Sequence, residues 1–236
     1  MYEADMNWEQ RVAADAAVSE RVAFIRKTYL HVAGAIVAFA VLLAALVNFG
    51  PNEAMMNLVF TRGGWFIVIA IYMLAGFIAQ RMANSTTSIA TQYLGLGLFT
   101  VAEAFVFWPL IWFCTNQLRY EGVLAQSVVL TLALAGGLTM SVFVTKADFS
   151  WMRTGLNVLL LVALGLIALS MAGLMSLGIW FAIAMVVLMC GCILYETSNV
   201  LHHYRTTQYV GASLAIFSAV ATLFWYIIQI FMSMRD

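Results

Sequence analysis

The sequence predicts an all-α membrane protein built from seven transmembrane helices. Three observations carry that prediction. Only 9% of the 236 residues are charged and 64% are hydrophobic, whereas soluble domains carry about 25% charged residues. Seven apolar runs each approach the ~20 residues that a helix needs to cross a bilayer core. Pro51 and Pro109 are the two prolines of the whole chain, so the long runs are free to be helical. No stretch shows the alternation over roughly ten residues that marks a membrane β-strand.

Residues 1–27 read as a polar, Ala-rich, helical lead-in. In it Trp8, Val12, Val18, Val22 and Ile25 line one side of an amphipathic segment lying on the membrane surface. This lead-in mixes acids and bases, unlike a secretory signal. Residues 28–236 form a single membrane domain, with runs at 28–49, 64–82, 89–114, 123–145, 152–172, 177–199 and 209–233. Connections are short, Gly50–Gly63 being the longest, and none has room for a soluble domain.

Orientation follows from the basic residues in the loops. With seven spans, Arg11, Arg21, Arg26, Lys27, Arg81, Lys146, Arg153 and Arg205 share the N-terminal side, against Arg62, Arg119 and Arg235 on the other. The N-terminus is therefore expected in the cytoplasm and the C-terminus outside. Small residues (Gly34 with Ala38, Gly95 with Gly97, Gly136, Gly137, Gly155, Gly165 and Gly191) lie where helix backbones are expected to approach closely.

Composition also excludes function classes. Net charge is zero and no basic block exists, which argues against nucleic acid as a partner. Cys114, Cys190 and Cys192 lack the spacing of a zinc site and read as small buried side chains. No nucleophile elbow, His-Glu-x-x-His or glycine-rich nucleotide loop occurs, so the chain is not expected to be an enzyme and implies no cofactor. The partner that composition demands is the lipid bilayer.

Two carboxylates sit in or at the edge of the apolar runs. Glu103 falls about 18 Å into the third run, near the middle of a core about 30 Å thick. An ionised carboxylate there costs on the order of 2.5 kcal/mol or more, so it must be protonated, paired or wetted. It reads either as a neutral side chain bonded to a neighbouring helix or as part of a proton or ion pathway. Glu196 closes the sixth run at the N-terminal-side boundary, where Arg81, His31, His202 and His203 also gather. A Glu196–Arg81 pair there is expected to close a water path, with the three histidines as pH-sensing candidates. Ser218 and Thr222 lie on a polar stripe of the seventh run and complete the candidate pathway. No metal ligand set is evident.

Four segments carry a resemblance: FIRKTYLHVAG at 24–34, GLTMSVFVTKADF at 137–149, YETSNVLHHYRTTQY at 195–209 and LFWYI at 223–227. In order and over most of the chain, they resemble the transmembrane Bax inhibitor motif family, and bacterial members most. The resemblance implies six helices packed around a central seventh in a bacterial cytoplasmic (inner) membrane. It also implies pH-sensitive passage of cations, calcium among them. In that family an Asp at the end of span six pairs with an Asp in span seven and latches to an Arg in span two. Glu196 stands for the first Asp and Arg81 for the Arg, while span seven here holds no Asp. The expectation is thus a pH-sensitive cation leak gated by Glu196 and Arg81. The alternative is a non-conducting membrane partner of another complex, such as a protease or respiratory assembly.

Overall fold

The computed structural model describes residues 12–61, 63–85 and 88–235. Trp8, Arg11 and Arg62, used above, lie outside them. The described chain forms eight α-helices: α1 (Val18–Phe49), α2 (Asn52–Phe60), α3 (Gly64–Ala83), α4 (Ile89–Asn116), α5 (Val123–Thr145), α6 (Arg153–Met171), α7 (Ile179–His202) and α8 (Tyr209–Ser233). All but α2 are long and apolar enough to cross a membrane. The lead-in is helical in its last ten residues, and there it is continuous with α1 rather than a separate surface segment. Val18 and Val22 face outward on that first turn. Upstream, Arg21 folds back onto the carbonyls of Ala13 and Ala14.

Burial separates the helices into two kinds. On α1 the buried residues Phe24, Thr28, Val32, Ala35, Phe39 and Leu43 form one stripe at helical spacing, flanked by half-buried Ile25, Tyr29, Ile36, Leu46 and Val47, and the opposite face is exposed. On α4 and α8 more than half of the spanning window is buried, 61% and 56% respectively. Both belong to the centre. The seventh span, α8, packs against α1, α3, α4, α5 and α7, while α6 leans chiefly on α7. A phenylalanine cluster of Phe39, Phe99, Phe107 and Phe217 knits α1, α4 and α8 together.

Of the small residues, Gly95 makes the closest approach. A Cβ there would meet the Ala83 backbone nitrogen at 2.6 Å and the Ala79 carbonyl oxygen at 2.7 Å, so only glycine lets α3 and α4 pack as they do. Gly191 meets Leu156 and Met152, whereas Gly34, Gly97, Gly136, Gly137, Gly155 and Gly165 have open space where a side chain would begin. Among the described residues, those six therefore do not mark close helix approaches. The nine-residue α2 fills the Gly50–Gly63 connection and is pinned by a bond from Trp108 Nε1 to Asn52 Oδ1 at 2.7 Å. At the opposite end, Val12 bridges to Arg205 and the Ala13 amide donates to Tyr204, strapping the N-terminal segment over the α7–α8 turn.

Candidate functional site: two carboxylates at two depths

Glu103 sits midway along α4 and is 2% exposed. The Tyr72 hydroxyl, from α3, donates to its Oε1 at 2.9 Å. The Gly95 contact lower down holds α3 against α4 and so brings the two side chains into reach. Glu103 also lines a cavity of about 740 Å³ walled by α3, α4, α6, α7 and α8. Thr61, Gly63, Ser170, Met171 and Leu177 surround the end of this cavity nearest the C-terminus. Glu103, Leu160, Met185 and Thr222 are the lining residues of α4, α6, α7 and α8 that lie farthest along each helix from that end. The space exists because α6 leans on α7 and leaves a gap opposite α3.

The polar stripe of α8 divides at this cavity. Thr222 lines it together with Tyr226 and Gln229. Ser218 lies one turn deeper and contributes its carbonyl, which accepts the Thr222 hydroxyl at 2.9 Å. Among the described lining residues Glu103 is the one charged side chain.

Glu196 lies about 16 Å farther along α7 than Met185, at 1.5 Å per residue. It is partly buried near the N-terminal-side end of the bundle. Its Oε2 accepts bonds from Asn199 Nδ2 at 3.3 Å and from the Tyr204 hydroxyl at 3.2 Å. Tyr204 lies in the turn beyond α7, where burial first, and the Glu196 charge second, pushes its hydroxyl far above the ordinary tyrosine range. It therefore remains a donor at every accessible pH.

The expected Glu196–Arg81 pair does not form. Arg81 is exposed at the end of α3, with its guanidinium over the Phe77 ring at 5.0 Å. The cause is azimuth: α3 packs on α4 and α8, whereas α7 packs on α8, α5 and α6. The guanidinium whose field reaches Glu196 belongs instead to Arg153, at the start of α6.

The three histidines share an end of the bundle without converging on Glu196. His31 Nδ1 faces the Lys27 carbonyl at 2.7 Å, and its Nε2 meets the Tyr93 hydroxyl at 3.0 Å. A carbonyl only accepts, so Nδ1 carries the proton and the neutral ring accepts from Tyr93 at Nε2. His202 Nδ1 bonds to the Ser198 carbonyl at 3.0 Å. His203 Nε2 approaches Asp148 Oδ2 at 3.9 Å, an ion pair when the imidazole is protonated. Asp148 lies in the α5–α6 loop, and the Ser150 amide donating to its Oδ1 at 2.8 Å holds it below the usual carboxylate range. Sequence reasoning missed Tyr72, Tyr204, Asn199 and Arg153. Arg153 carries a signal in the sequence, since it falls on the same side of the bundle as Glu196. The described residues hold no group of three or more His, Cys, Asp or Glu side chains able to bind a metal.

The chain is similar to several eukaryotic and viral proteins. It is 27% identical to Protein lifeguard 4 of Mus musculus over 96% of this chain and 91% of that protein. It is 28% identical to Bax inhibitor 1 of Schizosaccharomyces pombe, over 92% and 79% respectively. It is 27% identical to the Golgi anti-apoptotic protein of Vaccinia virus, over 97% and 92%. No solved structure matches it. The seven apolar helices support an integral membrane protein; the relatives named here come from an animal, a yeast and a virus and do not show the bacterial inner membrane expected from sequence. The family model described as "Inhibitor of apoptosis-promoting Bax1" matches residues 21–236, and the chain belongs to that Bax inhibitor and lifeguard family.

Proposed function

We propose that the protein passes cations across the membrane in a pH-sensitive manner, and that Glu103 is the carboxylate the cation meets. The observation that carries this reading is a lone acid, 2% exposed, at the deep end of a cavity with polar groups on its walls. An ionised carboxylate with no counter-ion is costly at that depth. Glu103 therefore holds either a proton or a cation, and the two compete for one group. The titratable neighbours in the cavity are Tyr72 on α3 and Tyr226 on α8; α6 and α7 present only neutral side chains. With the N-terminus in the cytoplasm, as the basic residues favour, the cavity opens to the opposite side. The Glu196, Asn199 and Tyr204 cluster then sits at the cytoplasmic end. Calcium is one candidate cargo, although hard calcium prefers several oxygen ligands.

Purified protein in lipid vesicles tests the proposal. Cation flux that changes between pH 6 and pH 8, and loses that change in Glu103→Gln, is the expected result. Flux absent at both pH values, or identical in the variant, would overturn it.

A second reading, a non-conducting partner of another membrane complex, is favoured by Gly136, Gly137, Gly155 and Gly165. Nothing among the described residues fills the space beside them, and small residues of this kind let another helix approach closely. The relatives' names, Bax inhibitor and anti-apoptotic protein, fit a modulating role equally well. Recovery of a stoichiometric partner in mild detergent, lost when Gly136 and Gly165 become Leu, is the result that reading requires.

A further inference from the structure

Size, lining and charge of the Glu103 cavity together specify a kind of cation. At about 740 Å³ it falls within the range of small-molecule pockets, about 300–1,000 Å³. That is far more space than a bare metal ion occupies. Calcium also needs six to eight oxygens at about 2.3–2.6 Å. Here the side-chain oxygens belong to Thr61, Tyr72, Glu103, Ser170, Thr222, Tyr226 and Gln229, on four different helices and a loop, with Glu103 the one acid among the described lining residues.

The remaining wall is aromatic. Trp65, Tyr72, Phe107, Phe181, Trp225 and Tyr226 contribute from four helices, α3, α4, α7 and α8. Their rings are already clustered: Trp65 and Trp225 lie 6.3 Å apart, Phe107 and Trp225 5.0 Å, and Phe181 and Tyr226 5.9 Å. Aromatic faces attract cations, and cages of such rings suit quaternary ammonium groups. One carboxylate at the floor sets the charge of the guest at plus one.

We propose that this cavity binds an organic monocation with an apolar body, an alkyl- or aryl-substituted ammonium, its charge on Glu103 and its body against the aromatic wall. The inference rests on the reading of Glu103 as the cation-meeting group. Thr222 and Gln229 supply acceptors for an N–H where the guest carries one.

Tetraphenylphosphonium is the probe, with tetraphenylborate as a control of nearly the same shape and opposite charge. Binding to the full-length protein in detergent is read from tryptophan fluorescence, since Trp65 and Trp225 line the site. Saturable binding of the cation is expected, without matching binding of the anion. Glu103→Gln should weaken it by about tenfold, and Phe181→Leu by about threefold. Thermal melting in the same detergent shows whether each variant is folded, and Phe181→Leu keeps the test alive if the Glu103 variant is not. Equal binding of both probes, or cation affinity unchanged in folded variants, would overturn the inference as mere partition into an apolar hole. Glu103-dependent inorganic flux in vesicles without phosphonium binding would sink this inference alone. Phosphonium binding without any pH-dependent flux would sink the transport reading and leave the site standing.

Discussion

Glu103 and Glu196 are the same side chain in the same bundle, and each accepts a bond from a tyrosine. They differ in what lies beyond that tyrosine. Beside Glu103 is a cavity that extends toward the C-terminal end of the bundle. Around Glu196 are Asn199, the field of Arg153 and a turn strapped down by the N-terminal segment. A buried acid next to space can exchange its partner, whereas an acid enclosed by donors from its own helix and the following turn holds its surroundings in place. Burial alone therefore does not mark a functional carboxylate; burial beside room for a guest does.

Filling the space should have the largest effect. Thr222→Trp is expected to cut cation flux by roughly tenfold or more while leaving the Glu196 end unchanged. Undiminished flux in vesicles would remove the functional contrast between the two acids. At the other end the expected effect is on stability. Tyr204→Phe deletes a donor to a partly buried carboxylate and should cost about 1–3 kcal/mol, seen as a lower melting temperature in detergent. A melting temperature equal to that of the parent would show that the enclosure of Glu196 contributes nothing.

Arginine substitutions sharpen the same point more gently. Arg153→Ala should lower stability by up to about 1 kcal/mol in combination with an intact Glu196, and by less in a Glu196→Gln background. Arg81→Ala should show no such coupling, because its guanidinium lies over Phe77. Coupling of Glu196 to Arg81 rather than to Arg153 in that double-mutant cycle would reinstate the pairing expected from sequence.

The smallest effect concerns Asp148, exposed in the α5–α6 loop. Its folded carboxyl titrates below the unfolded value, first because of the Ser150 amide. It therefore adds stability above the unfolded pKa of about 3.9, and that contribution disappears as pH falls through the lower folded value. Asp148→Asn should narrow the melting difference between pH 6 and pH 3 slightly. An unchanged difference would show the loop bond to be neutral.

Depth along each helix was legible in the sequence, and azimuth was not. Six of the seven runs begin and end within a few residues of the observed helices, because apolar length is what a bilayer selects, whereas the first helix starts ten residues earlier, at Val18. Glu103 was placed near mid-membrane by counting residues, and its midway position on α4 agrees. Counting also put Arg81 and Arg153 at the same boundary, and nothing in the chain said which of them turns toward α7. The Tyr72–Glu103 bond spans 31 positions and two helices, so only the packing that Gly95 permits brings it about. The short α2 did have a signal, Pro51 before a run with Glu53 in its first turn, but it was read as loop.

Cysteine accessibility tests most directly whether water reaches Glu103 from the C-terminal side. In vesicles of known orientation, Thr222→Cys and Gln229→Cys are introduced into a chain whose Cys114, Cys190 and Cys192 have been replaced. A membrane-impermeant thiol reagent added on the C-terminal side is expected to modify both positions, and the same reagent on the N-terminal side neither. Modification from the N-terminal side, or no modification from either, would contradict the account.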